Sequence, residues 1–413
     1  MIVCLLLFRS LLGLAVVLST TKSSIHSVHA FSVLPVSRTR TQRSLFPLAT
    51  SYEAAVSDET YQTNLEIAKL ASESPKNATA ALIAQCLLEK LPHPDTVTYN
   101  GVLKALAKSP SLQGAQQAQD LLEQMEEVHK QQSLANREFY LKISSNGSDF
   151  VEGAPLITVK PNVRSYSTVM DAWSRRSGKI LNAPQRAQDI LERLEDIHKS
   201  TGDMSYRPNT ISYNTVIAAW AKDGIFDKAL LLLEKMGPLA DTISYNTVLL
   251  AIARSALPDA GERAEQLMRK MTVRPNARTY TTVIDAWSRS HNSSRALTLL
   301  REMEELYETT GDVSIRPNCI SYSTVINAYA ISREPNKATM AWKLLQRMKE
   351  LSNSGSNVHA KPSLITFNSV LNACATCSSI EHEQVAKMVH VLYREIQQDP
   401  SLQPDHFTYG TGN

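Results

Sequence analysis

The sequence predicts an all-α fold: a right-handed superhelical solenoid of stacked helix-turn-helix repeats. Three observations carry that expectation. One phrase recurs seven times, the apolar residues inside it fall at helical spacing, and no segment alternates as a half-buried strand would. A composition of 43% hydrophobic and 20% charged residues, with 14 Gly and 18 Pro, excludes a collagen, a low-complexity tail and a membrane channel. Five cysteines in 413 residues exclude the disulfide-stapled class.

The first element, residues 1–52, reads as a signal plus transit presequence. It contains no Asp or Glu, and the first acid is Glu53. Met1 to Leu18 is apolar apart from Cys4, Arg9 and Ser10; it is too short and interrupted for a spanning helix and suits the core of a secretory signal. Val28-His29-Ala30 offers a cleavage site with Phe31 next, and the Ser-, Thr- and Arg-rich stretch that follows reads as a transit peptide. A signal followed by Phe and such a stretch resembles the bipartite plastid presequence of algae with secondary plastids. That resemblance implies delivery to a plastid (chloroplast) by the secretory route; the mitochondrion is the alternative. Without 1–52 the chain carries 38 basic and 40 acidic residues, a net charge of −2, so bulk charge identifies no partner.

Residues 53–95 follow, with two apolar-periodic runs between Thr60 and Leu91 that read as a degenerate N-terminal helical repeat or cap. Residues 96–405 hold seven repeats with inserted loops. Their openings are TVTYNGVLKALAKS (from Thr96), VRSYSTVMDAWSRR (from Val163), TISYNTVIAAWAKD (from Thr210), TISYNTVLLAIARS (from Thr242), ARTYTTVIDAWSRS (from Ala277), CISYSTVINAYAIS (from Cys319) and LITFNSVLNACATC (from Leu364). The start of an incomplete eighth repeat, HFTYGTGN, occupies 406–413. Successive starts lie 67, 47, 32, 35, 42, 45 and 42 residues apart, a unit near 35 plus insertions. The longest insertion, Gln131 to Lys160, is expected as a loop, and Thr201 to Asn209 and Thr310 to Asn318 as two versions of one lengthened turn.

Inside the third unit, Tyr213, Val216, Ile217 and Trp220 fall at i, i+3, i+4 and i+7, the stripe of an amphipathic first helix. Asp223-Gly224 ends it, and Ala229, Leu232, Leu233 and Met236 mark a second helix. Arg207-Pro208-Asn209, Arg274-Pro275-Asn276 and Arg316-Pro317-Asn318 then stop one unit and cap the next. One helix pair cannot bury both its faces, so the units must stack.

The unit resembles the pentatricopeptide repeat, a helix-turn-helix of about 35 residues that opens with a phrase like VTYNTLI and closes with KPD or RPN. The match runs from Thr96 to the C-terminus and is of the P-type-like array. The tetratricopeptide repeat has similar length but sets Trp early in its first helix, whereas Trp173, Trp220 and Trp287 come at the end of theirs. The resemblance implies a sequence-selective binder of single-stranded RNA, one base per repeat, read from a concave face lined by first helices. The first base-reading position, directly after the recurrent aromatic, holds Asn100, Ser167, Asn214, Asn246, Thr281, Ser323 and Asn368. The second, just before the next unit, holds Asn162, Asn209, Asp241, Asn276, Asn318, Ser363 and Asp405. Helix capping favours the same residue types there. The base-sandwiching position holds Val97, Arg164, Ile211, Ile243, Arg278, Ile320 and Ile365, with the two arginines departing from the family's aliphatic. In the family's code Asn with Asp favours U, Ser or Thr with Asn favours A, and Asn with Asn favours a pyrimidine. The expected site, 5′ to 3′ from the N-terminal repeat, is Y-A-U-Y-A-N-U.

Charge is sorted between the helices. The seven first helices carry Lys104, Lys108, Arg164, Arg175, Arg176, Lys222, Arg254, Arg278 and Arg289 against Asp171, Asp223 and Asp285, which suits an inner face toward phosphates. The helix dipole accounts equally for the cations near helix ends.

No enzyme is expected. Cys374-Ala375-Thr376-Cys377 is a lone CxxC and reads as two small residues on a packed helix, and Asp171, Asp223 and Asp285 sit on separate repeats. No cofactor or metal is implied. His129 and His198 read as solvated residues closing second helices, and the sequons at Asn77, Asn146 and Asn292 as idle. The partners expected are single-stranded organellar RNA and other RNA-processing proteins, with no membrane in the mature form and a monomeric state. Two alternatives stand beside this reading: a helical-repeat protein scaffold, and the RNA-docking part of a truncated RNA-processing enzyme. The first would have no reason to repeat Asn, Ser or Thr with Asn or Asp in every unit.

Overall fold

The computed structural model describes residues 47–146, 158–255, 257–377, 382–406 and 408, and among them there is helix and no strand. The presequence up to residue 46, including Phe31, and most of the eighth start lie outside the described residues. The chain divides into two units, Met1–Tyr52 and Glu53–Asn413. The helices are α1 (Pro47–Glu73), α2 (Ala78–Lys90), α3 (Thr96–Lys108), α4 (Gly114–Asn146), α5 (Val163–Ser174), α6 (Ala183–Thr201), α7 (Thr210–Lys222), α8 (Phe226–Met236), α9 (Thr242–Arg254), α10 (Ala260–Arg269), α11 (Ala277–Arg289), α12 (Ser293–Thr310), α13 (Cys319–Ile331), α14 (Lys337–Asn353), α15 (Leu364–Ala375) and α16 (His382–Gln398).

From α3 onward the odd-numbered helices open each repeat and the even-numbered ones close it. Each first helix packs on the first helix of the next repeat, and each second helix from α4 to α14 packs between its own first helix and the following one. That is a solenoid: every unit buries itself only against its neighbours. The repeating core explains the close stacking. Val102, Val169, Val216, Val248, Val283, Val325 and Val370 are fully buried, and three residues after each comes a buried Ala, from Ala105 to Ala373, small enough for helix to meet helix.

The start of each first helix is fixed by one device. Asp95, Asn162, Asn209, Asp241, Asn276, Asn318 and Ser363 sit at the N-cap in extended backbone. The third helical residue, always Ser or Thr, returns a bond to the cap and closes a capping box. Each such cap is worth about 1 kcal/mol. Other polar bonds tie one repeat to the next. Trp173 donates to Gln119 at 3.1 Å and Trp220 to Gln188 at 2.8 Å, each on the preceding second helix. Tyr213 donates to Glu195 at 2.6 Å, and Glu195 also takes Lys235 at 2.5 Å.

The insertions differ in part from expectation. Gln131 to Lys160 does not begin as a loop: α4 runs unbroken to Asn146, because Gln131 to Asn146 contains neither Gly nor Pro and nothing there ends a helix. The two lengthened turns share one build. Gly202 (φ 66°) and Gly311 (φ 65°) take the left-handed backbone that closes α6 and α12. Asp203 and Asp312 then accept from the Ser205 and Ser314 N–H groups, both at 2.8 Å, to start a 3-10 turn. His129 and His198 are not simply solvated: His129 Nδ1 lies 2.8 Å from the Val159 carbonyl and His198 Nδ1 2.9 Å from that of Asp203, each holding the chain that returns after its helix. Asn77 and Asn292 serve as N-caps of α2 and α12.

Candidate nucleic-acid interface

The sandwiching residues occupy the second position of each first helix and all face solvent. Val97, Ile211, Ile243, Ile320 and Ile365 are 63–72% exposed, and Arg164 and Arg278 are exposed beside them. A β-branched aliphatic left two-thirds in water at the same position of five repeats serves no core.

The reading residues lie three positions further on, and bonds join them to the next repeat. Asn100 Oδ1 accepts from Ser165 Oγ at 2.7 Å. The hydroxyls of Ser167 and Ser212 are 3.0 Å apart, those of Thr281 and Ser321 3.0 Å, and those of Ser323 and Thr366 2.8 Å. Asn214 Nδ2 donates to Asp241 Oδ1 at 3.2 Å. Asn368 donates to Asp405 Oδ1 at 3.1 Å and accepts from Thr408 Oγ1 at 2.9 Å. Asn246 is buried, and its Oδ1 has no partner.

The hydroxyls that the following repeat brings to this ladder, those of Ser165, Ser212, Ser321, Thr366 and Thr408, each stand three residues after the second position and are fully buried. Each touches that second-position side chain and, in all five places, the first-position side chain of the preceding repeat. The two residues of a pair therefore meet although they sit on different repeats. Asn100 and Asn162, far apart in sequence, meet through Ser165, whose hydroxyl is 2.7 Å from Asn100 Oδ1 and 3.5 Å from Asn162 Oδ1. The sequence reading missed these hydroxyls. The signal for them was available: the residue before the recurrent aromatic is Ser or Thr in every unit.

Capping at the second position leaves one polar atom of each side chain unused. Oδ1 of Asn209 accepts from Ser212 N–H at 3.0 Å, Oδ1 of Asn276 from Thr279 N–H at 3.0 Å and Oδ1 of Asn318 from Ser321 N–H at 3.1 Å. That pins the amide so that Nδ2, a donor, is left over. Asp241 Oδ1 accepts from the Ser244 N–H and hydroxyl, both at 2.8 Å, which leaves Oδ2, an acceptor. Burial alone would raise the Asp241 pKa, but the bonds from Ser244 and Asn214 outweigh it and hold the group below the usual carboxylate range. Thr408 and Asn368 do the same for Asp405.

Two cavities open on this face between successive sandwiching residues. One of about 490 Å³ lies between Arg164 and Ile211 and is lined by Ser167 and Asn209. The other, of about 510 Å³, lies between Arg278 and Ile320 and is lined by Thr281 and Asn318. Both form where the first reading residue is a short hydroxyl.

The basic face is narrower than the cation count implies. Arg175 pairs with Asp171 at 2.7 Å and Arg289 with Asp285 at 2.9 Å. Arg176 is buried and spends its guanidinium on the carbonyls of Ala107, Ser109, Ser111 and Ala172. Lys222 bonds the Ser174 carbonyl at 2.9 Å. Lys104, Arg164, Arg254 and Arg278 remain exposed. Burial pushes the Cys374 thiol up to about 11, as a packed cysteine requires. Among the described residues no group of three His, Cys, Asp or Glu could hold a metal ion, and no helix is long and apolar enough to cross a membrane.

The sequence profile of the pentatricopeptide repeat domain matches residues 263–331 and 308–376, and that of the PPR repeat matches 211–237. No curated protein matches the chain in sequence. Among solved structures the chain is similar to the pentatricopeptide repeat protein PPR10 from maize, at 18% identity and a TM-score of 0.38, over 83% of this chain and 50% of that one. It is also similar to PPR10 in two complexes with an 18-nt psaJ RNA element. The first, a cysteine-to-serine variant, is 15% identical with a TM-score of 0.35, over 89% of this chain and 59% of that one. The second is 16% identical with a TM-score of 0.30, over 83% and 59%. The chain thus spans between half and three-fifths of the length of these chains. Seven helix pairs share one capped opening phrase, and the family's own profiles match the stretches of α7–α8 and α10–α15: the chain carries pentatricopeptide repeats.

Proposed function

We propose that this protein binds single-stranded RNA sequence-selectively, one base per repeat, and that it supports the processing, stability or translation of an organellar transcript. The observation that carries the reading is the pinned second position beside an exposed sandwiching residue. Where the cap is Asp, the free Oδ2 suits a base whose ring nitrogen carries a proton, such as uracil. Where the cap is Asn, the free Nδ2 suits a base whose ring nitrogen accepts, such as adenine or cytosine. The first position adds size: Ser167 and Thr281 leave room for a purine, and Asn fills the same space beside a pyrimidine. Together these give A at Ser167–Asn209 and Thr281–Asn318, U at Asn214–Asp241 and Asn368–Asp405, and pyrimidines at Asn100–Asn162 and Asn246–Asn276. Stacking on the sandwiching side chains supplies affinity, and edge contacts choose among bases.

Selection from a random RNA pool tests this, with Y-A-U-Y-A-N-U as the expected consensus. Absence of RNA binding, with a peptide captured on the same face instead, would overturn it in favour of a scaffold. The isolated chain is expected neither to cleave nor to edit the RNA it binds; metal-dependent turnover lost on replacing one carboxylate would reverse that. The acid-free presequence with Phe31 after Ala30 supports a plastid destination, the mitochondrion being the other outcome of a localisation experiment.

A further inference from the structure

We propose that the segment ahead of the first recurrent phrase also reads a base, through Tyr61, Asn64 and Asp95, and takes one further nucleobase beside the one at Asn100. This rests on the RNA reading above and lengthens its footprint. In sequence the segment is degraded: Thr63 stands where the other units carry an aromatic residue. In space it reproduces the third repeat's site. Asn64 Nδ2 donates to Asp95 Oδ1 at 3.4 Å, as Asn214 does to Asp241 at 3.2 Å and Asn368 to Asp405 at 3.1 Å. Asp95 Oδ1 also takes the Thr98 N–H and hydroxyl, both at 2.7 Å, so its Oδ2 is left over as it is in Asp241. Asn64 Oδ1 is buried without a partner, and so is that of Asn214.

The stacking position is filled too. Tyr61, three residues ahead of Asn64, is 60% exposed, and Ile211, three ahead of Asn214, is 66% exposed. Behind Asn64, Ile67 and Ala71 are buried as Leu103 and Ala107 are behind Asn100. A Cβ at Gly101 would lie 2.7 Å from Ile67 Cγ2, so α3 reaches this close approach only because it carries glycine there. Asn64 and Ile67 thus bring α1 against the start of α3, and Tyr61 offers there a larger stacking face than an aliphatic. The base it takes is of the kind held at Asn214–Asp241, one with a protonated ring nitrogen.

The test uses the full chain and synthetic RNA. Selection from a random pool should return an eight-position site, the added position lying beyond the base at Asn100 and matching the base at Asn214. Tyr61→Ala should weaken binding of the eight-position RNA about tenfold. It should leave unchanged the binding of an RNA trimmed to the seven inner positions. Asn64→Thr should alter preference at the added position alone, in the direction that Asn214→Thr alters its own base. A seven-position site bound equally by the parent chain and Tyr61→Ala would overturn this proposal and leave the array's function standing. No RNA bound by the parent chain would remove both. Unchanged thermal melting of the variants separates lost reading from lost folding.

Discussion

Asn214 Nδ2 donates to Asp241 Oδ1 across 3.2 Å, so the third repeat's two proposed reading positions form one hydrogen-bonded unit although they stand on helices of successive repeats. Replacing Asn214 with Thr shortens the first member and opens space beside the same ionised acceptor. Preference at the third base should move from U to G while the other six positions hold. Selection of a random pool against Asn214→Thr reads this directly, and an unchanged third base would end the one-repeat-one-base account.

The capping box carries stability as well as geometry. Ser244 is fully buried; its hydroxyl donates to Asp241 Oδ1 at 2.8 Å and accepts from the Asp241 N–H at 3.1 Å. Ser244→Ala leaves that N–H without a partner and should cost about 1–2 kcal/mol. Ser244→Thr, the residue other repeats use, should retain most of it. Denaturant midpoints of the two variants provide the measurement.

Acid should act through the same pair. The bonds to Asp241 and Asp405 depress both carboxyls in the folded chain. A depressed folded pKa contributes stability that is fully present above the unfolded value of about 3.9 and is lost as pH falls through the folded value. Stability from these groups should therefore be flat from about pH 5 to about pH 8 and decline below about pH 4. Selectivity at the third base should hold across the flat range, since the acceptor stays ionised. Melts and binding titrations over pH check both, and a loss of third-base preference near pH 6 would contradict the assignment of Asp241.

The proposed plastid route is tested at Phe31. A fluorescent fusion carrying Phe31→Ala should stall short of the plastid, and the parent presequence should arrive. Arrival of both, or mitochondrial signal from the parent, would reject the bipartite reading.

Much of the fold was legible because periodicity reports a helix's own buried face. Tyr213, Val216, Ile217 and Trp220 are all buried as their spacing requires. The helix they belong to ends at Lys222, with Gly224 in the left-handed region at φ 75°. What lies between helices was not legible in that way. Nothing in the spacing of Arg176 distinguishes it from Arg175, yet one is buried against four carbonyls and the other pairs with Asp171 at the surface. The reach of α4 to Asn146 was missed because insertion length was read as loop, although no breaker occurs there. At the interface, residue types repeated visibly from unit to unit. The bond joining Asn100 to Ser165 crosses 65 positions, and no local pattern encodes it.

The hydroxyl ladder also sets where this chain can be divided into interchangeable parts. A helix pair excised from Thr210 to Met236 would carry Asn214 but leave behind Asp241, which completes its pair, and Ser244, which orients Asp241. Under the proposed reading, such a piece grafted elsewhere would borrow its second letter from whatever host helix followed it. The smallest cassette that keeps the Asn214–Asp241 pair whole is two helices plus the opening turn of a third, cut after Ser244 rather than at the Arg-Pro-Asn boundaries that the eye picks out of the sequence.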